Sequence, residues 1–270
     1  MPGPPMNIAS LFIYPIKGCR GHAVATAAVD GLGLGGDRRL MLVDLDGQFL
    51  TQRDVPALAT FEPLLYGSAL RVTLAGHDPL EVEVNRGGPE MTVRVWDDTL
   101  IAHDQGARAA AWFTGAIGRP CRLVAFGAAS FRPLNPKWVS RPGPGTTFAD
   151  AYPALAVLDE SLADLNRRLA TPVPMSRFRP SMVVTGASAW SEDAWRELAI
   201  GDFAWNAVKP CDRCVVTTTD QVTGARDPRQ EPLRTLAKFR NFPGLGVIFG
   251  QNLVPRTPGT LNVGDLVVTV

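Results

Sequence analysis

Short apolar runs broken by Gly, Asp and Asn dominate the first third of the chain. Ile8 to Tyr14 is one such run, and His22 to Val29, rich in Ala and Val, is a second that ends at the turn pair Asp30-Gly31. Arg39 to Val43 and Gln48 to Gln52 flank Asp44-Leu45-Asp46-Gly47, a hairpin signal with Asp46-Gly47 at its turn. Further strand-like pieces at Leu70 to Leu74, Leu80 to Val84 and Met91 to Val95 recur at intervals typical of a barrel or sandwich.

Helical periodicity is confined to a few places. After Asp104, a candidate N-cap, the stretch Ala107 to Ile117 predicts a helix that stops at Gly118. From Asp159 the segment ESLADLNRRLA sets Leu162, Leu165 and Leu169 on one stripe, the pattern of a surface helix. A third short helix is expected over Glu192 to Leu198. Arg132 to Thr147, with Pro133, Pro136, Pro142 and Pro144, reads as a loop. The C-terminal half then returns to strands, with Leu198-Ala199-Ile200-Gly201-Asp202 and Leu261-Asn262-Val263-Gly264-Asp265 as two copies of one turn pattern. Val215 to Thr219 is strongly β-forming by side chain.

Composition narrows the class. A chain of 270 residues, 46% hydrophobic and 20% charged, is neither collagen, coiled coil nor wholesale disorder. Its 26 Gly and 23 Pro favour many turns and short strands over a helical bundle. Net charge is +1, so no bulk field drives binding to nucleic acid or an anionic membrane. Any anion site must be local. The start, MPGPPMNIAS, lacks a basic leader, and the apolar stretch Ile8 to Ile16 is too short to span a bilayer. With only Cys19, Cys121, Cys211 and Cys214, a reduced cytoplasmic protein is expected.

Three local patterns carry candidate chemistry. Gly31 to Gly36 satisfies G-x-G-x-x-G, yet Asp37-Arg38-Arg39 leads into a strand where a dinucleotide fingerprint needs a helix; the reading is a turn that could still bring Arg38 to a ligand. Cys211-Asp212-Arg213-Cys214 is a C-x-x-C without a second pair for zinc, and His22, His77 and His103 show no ligand spacing. It leaves open one functional thiolate or two structural thiols. Finally Lys17, Arg38, Arg179 and Arg213 all fall at loop edges, where four cations beside a cysteine would suit a phosphorylated cofactor with a sulfur ligand at its other end.

Six motifs in order then resemble one family. Tyr14-Pro15-Ile16-Lys17-Gly18-Cys19, Gly36-Asp37-Arg38-Arg39, Phe178-Arg179-Pro180, Cys211-Asp212-Arg213-Cys214-Val215-Val216-Thr217-Thr218, Phe249-Gly250-Gln251-Asn252 and Gly259 to Asp265 are similar to those of MOSC-domain molybdenum proteins, the group of the mitochondrial amidoxime-reducing component and its bacterial counterparts. The resemblance covers nearly the whole chain. It implies a mostly β (α+β) fold, with an N-terminal β-barrel-like region, 1–125, packed on a C-terminal MOSC β-barrel domain, 126–270, with a few helices. It also implies a molybdenum cofactor (Mo-molybdopterin) whose protein ligand is Cys214, the second cysteine, with Cys211 a bystander.

By the same resemblance, Lys17, Gly18, Arg38, Ala151, Tyr152, Arg179, Ser181, Asp212, Arg213 and Asn252 contact the pterin and its phosphate. Gly18, Ser181, Ala151, Tyr152 and Asn252 depart from close relatives, so contacts there would be made by backbone or water. The implied activity is reduction of small N-hydroxylated compounds, namely amidoximes, hydroxylamines and N-hydroxylated bases, at a Cys-ligated oxo-molybdenum centre. No cysteine cluster follows Cys214, so electrons would come from a separate ferredoxin, cytochrome b5-like protein or reductase. The alternative is a non-catalytic carrier of the cofactor or its sulfur. No nucleic-acid partner and no membrane segment are expected.

Overall fold

A computed structural model describes residues 5–139, 145–201 and 203–270. Met1 to Pro4, Pro142, Pro144 and Asp202 of the first repeated turn lie outside these residues. Strands dominate, and the described residues contain three α-helices: α1 (Gly106–Ile117), α2 (Asp159–Arg168) and α3 (Leu233–Ala237).

The largest sheet has nine strands. Its path runs Val267–Thr269, Glu197–Ile200, Phe203–Asp212, Gly246–Pro255, Ala154–Leu158, Met182–Thr185, Asn7–Ile13 and His22–Val24, with Asn241–Phe242 paired beside Gly246–Pro255. All neighbours are antiparallel except Ala154–Leu158 and Met182–Thr185, which run parallel. Parallel neighbours need a crossover, and α2 provides it directly after Leu158. Strands from before and after residue 125 therefore share this sheet. A register shift between Ile8 and Ser10 interrupts the alternation of Asn7–Ile13, so that Ile8, Leu11 and Ile13 all enter a core with Trp195, Trp205 and Leu253.

A second sheet joins Leu40–Val43, Arg122–Ala125, Asp98–Asp104 and Glu90–Val95, and a third joins Glu62–Tyr66, Ala69–Thr73 and Leu80–Glu83. Helix α1 closes the core beside them, with Phe113 stacked on Phe61 at 5.8 Å. Gly118 ends α1 at φ 72°, as expected of a glycine there. The helix begins at Gly106 with Gln105, not the expected Asp104, at its N-cap position, although the Asp104 carboxylate still accepts the Gly106 N–H at 2.6 Å.

Four expectations from the sequence need correction. The His22 to Val29 run divides into His22–Val24 and Thr26–Asp30. Gln48 to Gln52 forms only isolated bridges, although the Asp46-Gly47 turn is present and Gly47 has φ +77°. Glu192 to Leu198 is one 3-10 turn, Ser191–Ala194, followed by the strand Glu197–Ile200; burial of Trp195 and Leu198 against the sheet outweighs the helical pattern. Val215–Thr218 is likewise a 3-10 turn. There Thr217 Oγ1 donates to the Cys214 carbonyl at 2.9 Å and Thr218 Oγ1 to the Val215 carbonyl at 2.7 Å, so hydroxyl groups compete successfully with a strand ladder.

Candidate functional site

One cavity of about 470 Å³ gathers nearly all the candidate residues. Lys17, Gly18, Arg38, Ala151, Tyr152, Arg179, Asp212, Arg213, Cys214 and Asn252 line it. Ser181 does not: it is fully buried one layer behind, where its hydroxyl accepts from Arg38 at 3.2 Å. The two thiols of Cys19 and Cys121 sit in apolar packing elsewhere, and burial pushes the Cys19 thiol up to about 12.

The cations are aimed by a buried scaffold. The Tyr14 ring carries the Arg38 and Arg179 guanidinium carbons, each 4.4 Å from its centroid. Burial pushes the Tyr14 hydroxyl up to about 12, although both guanidinium groups pull the other way. Asp37, buried, accepts the Tyr14 N–H at 2.8 Å and pairs with Arg38. Arg38 also donates to the Arg179 carbonyl at 3.0 Å. The Gly-rich turn thus does bring Arg38 into the site, with no dinucleotide geometry.

A reciprocal amide pair joins distant parts of the chain beneath these groups. Gln52 Nε2 donates to Gln221 Oε1 at 3.1 Å, Gln221 Nε2 donates to Gln52 Oε1 at 3.0 Å, and both side chains are buried. Gln52 also donates to the Gly18 carbonyl at 2.6 Å, and Gln221 accepts from Arg179 at 3.1 Å. Gly18 has φ +83°, a conformation strained for any side chain. Among the described residues five that are not glycine have positive φ, and three of them, Arg38, Trp96 and Arg179, line the cavity. Backbone strain of this kind persists where surrounding structure over-determines it, and it clusters at functional sites.

Charge in the cavity is only partly compensated. Lys17, buried, donates to Asp150 at 2.5 Å. Burial lowers the Lys17 ammonium to about 8 against the raising influence of Asp150. Asp150 opens to the cavity, with its side chain 70% exposed. Its surroundings oppose ionisation, yet Lys17, with Arg53 and Arg38, holds the carboxyl well below the usual carboxylate range. Lys209 donates to Asp212 at 2.6 Å. Burial lowers Arg179 from its ordinary value, as expected of a cation short of counter-charge.

The two cysteines differ in setting. Cys211 is the penultimate residue of the strand Phe203–Asp212, and Cys214 lies two residues past its end, ahead of the Val215–Thr218 turn. Cys211 packs on the apolar cluster of Phe178 and Phe249, accepts from Arg213 at 2.9 Å, and is pushed up by burial. Cys214 accepts from Arg53 at 3.1 Å. Arg213 donates as well to the Phe178 carbonyl at 2.8 Å, and its Nε is buried without a partner.

Lys209, expected with Arg213 to help hold a thiolate, lines the cavity, whereas the sequence reading missed Gln52, Arg53, Trp96 and Asp150, which line it too. Arg53 and Trp96 come from turns in the first hundred residues that carry no local motif. Asp150 precedes the expected contact segment Ala151-Tyr152 by one position, and its adjacency was the available signal.

The chain matches two family models, the MOSC N-terminal beta barrel domain over residues 5–120 and the MOSC domain over 144–268. It is 34% identical to mitochondrial amidoxime-reducing component 1 of Homo sapiens, over 96% of this chain and 81% of that protein. To mitochondrial amidoxime reducing component 2 of Rattus norvegicus the identity is 32%, over 96% and 82%. A molybdenum cofactor sulfurase of Oryza sativa is 31% identical over 91% of this chain, which spans 32% of that longer protein. The chain belongs to the MOSC-domain family, with the N-terminal MOSC β-barrel domain ahead of the MOSC domain.

Proposed function

We propose that the cavity binds a molybdenum cofactor and that the protein reduces N-hydroxylated compounds such as amidoximes and hydroxylamines with electrons from a separate donor. The observation that carries this reading is that Cys214 lines the same cavity as Lys17, Arg38, Arg179 and Arg213. The relatives named amidoxime-reducing components support it.

The residues present fit such a group. Among the described residues no cluster of three or more His, Cys, Asp or Glu could hold a metal ion. A metal held by the Cys214 thiolate would have one soft protein ligand and leave its other positions to the cofactor's own dithiolene. The partnerless Nε of Arg213 and the undercompensated Arg179 ask for an anion, which a pterin phosphate supplies. Lys17, Arg38 and Arg179 would neutralise that phosphate, Cys214 would ligate the metal, and Tyr152 and Asn252 would wall the ring system.

When bound, the cofactor supplies the two-electron chemistry, and the protein supplies position and charge. The paired groups Lys17 and Asp150 hold a proton within the cavity. The scaffold of Tyr14, Asp37 and the Gln52–Gln221 pair fixes the cations before any ligand enters, so little ordering cost remains at binding. We take residues 1–125 as the N-terminal MOSC-associated region, 126–270 as the MOSC domain, and the cytoplasm as its place of action. No helix among the described residues is long and apolar enough to cross a membrane.

A second reading is a carrier of the cofactor or its sulfur, which the match to the rice sulfurase favours. Turnover of benzamidoxime by cofactor-loaded protein with reduced methyl viologen decides between them. Benzamidine production supports the reductase; a loaded protein that never turns over supports the carrier.

A further inference from the structure

Arg53 stands apart from the other cations of the cavity. Its Nη2 lies 3.1 Å from Cys214 Sγ, and its guanidinium carbon sits 4.5 Å from the centroid of the Trp96 ring. No ion pair among the described residues involves Arg53. Both acids of the cavity are engaged by lysines, Asp150 by Lys17 at 2.5 Å and Asp212 by Lys209 at 2.6 Å, although Arg53 still acts on Asp150 at longer range.

The surroundings hold this cation in place. Trp96 takes φ +56° and sets its ring edge against Phe49 at 4.8 Å. Arg226 donates to the Gln52 carbonyl at 2.9 Å and to the Arg53 carbonyl, which clamps the backbone that carries the side chain. The result is a fixed positive charge beside the sulfur, in a cavity partly shielded from water, where charges act strongly.

We infer that Arg53, seated on Trp96, selects by charge: it admits the neutral N-hydroxylated substrate and rejects the cationic product. The inference rests on the N-reductive reading above. An amidoxime is uncharged near neutral pH because its hydroxyl group draws electron density from the amidine. Its reduction takes two electrons from the separate donor and two protons, breaks the N–O bond and releases one water. The amidine that remains is strongly basic and takes a further proton. Substrate and product therefore share a flat shape and differ by a unit charge, which size and shape alone discriminate poorly. A permanently charged guanidinium beside the sulfur separates them, and it speeds clearance of the product.

The test compares two isosteric ligands of cofactor-loaded protein by calorimetry, benzamidine as the cation and benzamide as the neutral analogue. Arg53→Gln shifts the ratio of their dissociation constants toward benzamidine by about tenfold, a change equivalent to about 1.4 kcal/mol. Arg53→Lys keeps the charge and leaves the ratio near that of the wild type. Trp96→Leu removes the ring that seats the guanidinium and moves the ratio in the same direction as Arg53→Gln, with circular dichroism reporting that each variant is folded. An unchanged ratio in Arg53→Gln overturns the inference, as does an equal shift in Arg53→Lys or a wild-type protein that prefers benzamidine. If the wild type fails to reduce benzamidoxime, the N-reductive reading falls first. If it turns over while the ratio stays fixed, this inference alone falls.

Discussion

Replacement of Asp37 by Ala probes the scaffold that aims the cations. The Asp37 side chain is 2% exposed and that of its partner Arg38 is 14% exposed, so the pair is buried on one side and nearly so on the other. The substitution leaves Arg38 without its counter-charge and strips the buried Tyr14 N–H of the acceptor it has at 2.8 Å. Breaking a buried pair by removing one partner costs about 3–5 kcal/mol. For a chain of this size, that lowers the thermal midpoint by about 10 °C. The measurement is a thermal melt of cofactor-free protein, so that loss of a ligand does not enter. Arg38→Met, alone and combined with Asp37→Ala, completes a double-mutant cycle. Because the double variant leaves no uncompensated charge, the coupling should reach about 1.5–3 kcal/mol. A midpoint within about 3 °C of the wild type, equivalent to about 1 kcal/mol, would refute the reasoning, as would two costs that simply add.

Three further outcomes follow from the cavity. Cys214→Ala abolishes molybdenum retention while Cys211→Ala keeps most of it, read by metal analysis of protein expressed in a host that makes the cofactor; equal loss from both contradicts the ligand assignment. Arg179→Ala weakens cofactor retention by about 1.5–3 kcal/mol, the range for hydrogen bonds to charged groups, or about ten- to a hundredfold. Lys17 sheds its proton near pH 8 in the folded chain against 10.5 as its ordinary value, so the folded state holds fewer protons in between and this group's contribution to stability rises with pH across that window. Anion binding runs the other way: cofactor affinity falls as pH rises through about 8, and Lys17→Arg, which stays charged, flattens the profile.

Much of the fold was legible because its signals are local. A short apolar run marked the strand Asn7–Ile13, and the leucine stripe with its flanking Asp159 marked α2. Failures arose where tertiary packing overrode a local preference. Trp195 and Leu198 were drawn into the sheet, and Thr217 and Thr218 turned their hydroxyl groups onto nearby carbonyls. The motif residues of the cavity were visible as short patterns. Arg53, Trp96 and Asp150 were not, because what singles them out is contact with residues far along the chain: Arg53 meets Cys214, and Asp150 meets Lys17, across 161 and 133 positions. The Gln52–Gln221 pair spans 169 positions and could be found only from coordinates.

The wide spacing of the cavity walls has a consequence for biosynthesis. Lys17 and Asn252 line the same space, and translation at about 5–20 residues per second separates their appearance by about 10–50 s. During that interval a nascent chain exposes its first cations with no opposing wall and no sulfur to meet them. On the proposed function, insertion of a prosthetic group would therefore wait until Asn252 has been synthesised and folded against Lys17, and any insertion machinery would have to recognise the assembled cavity.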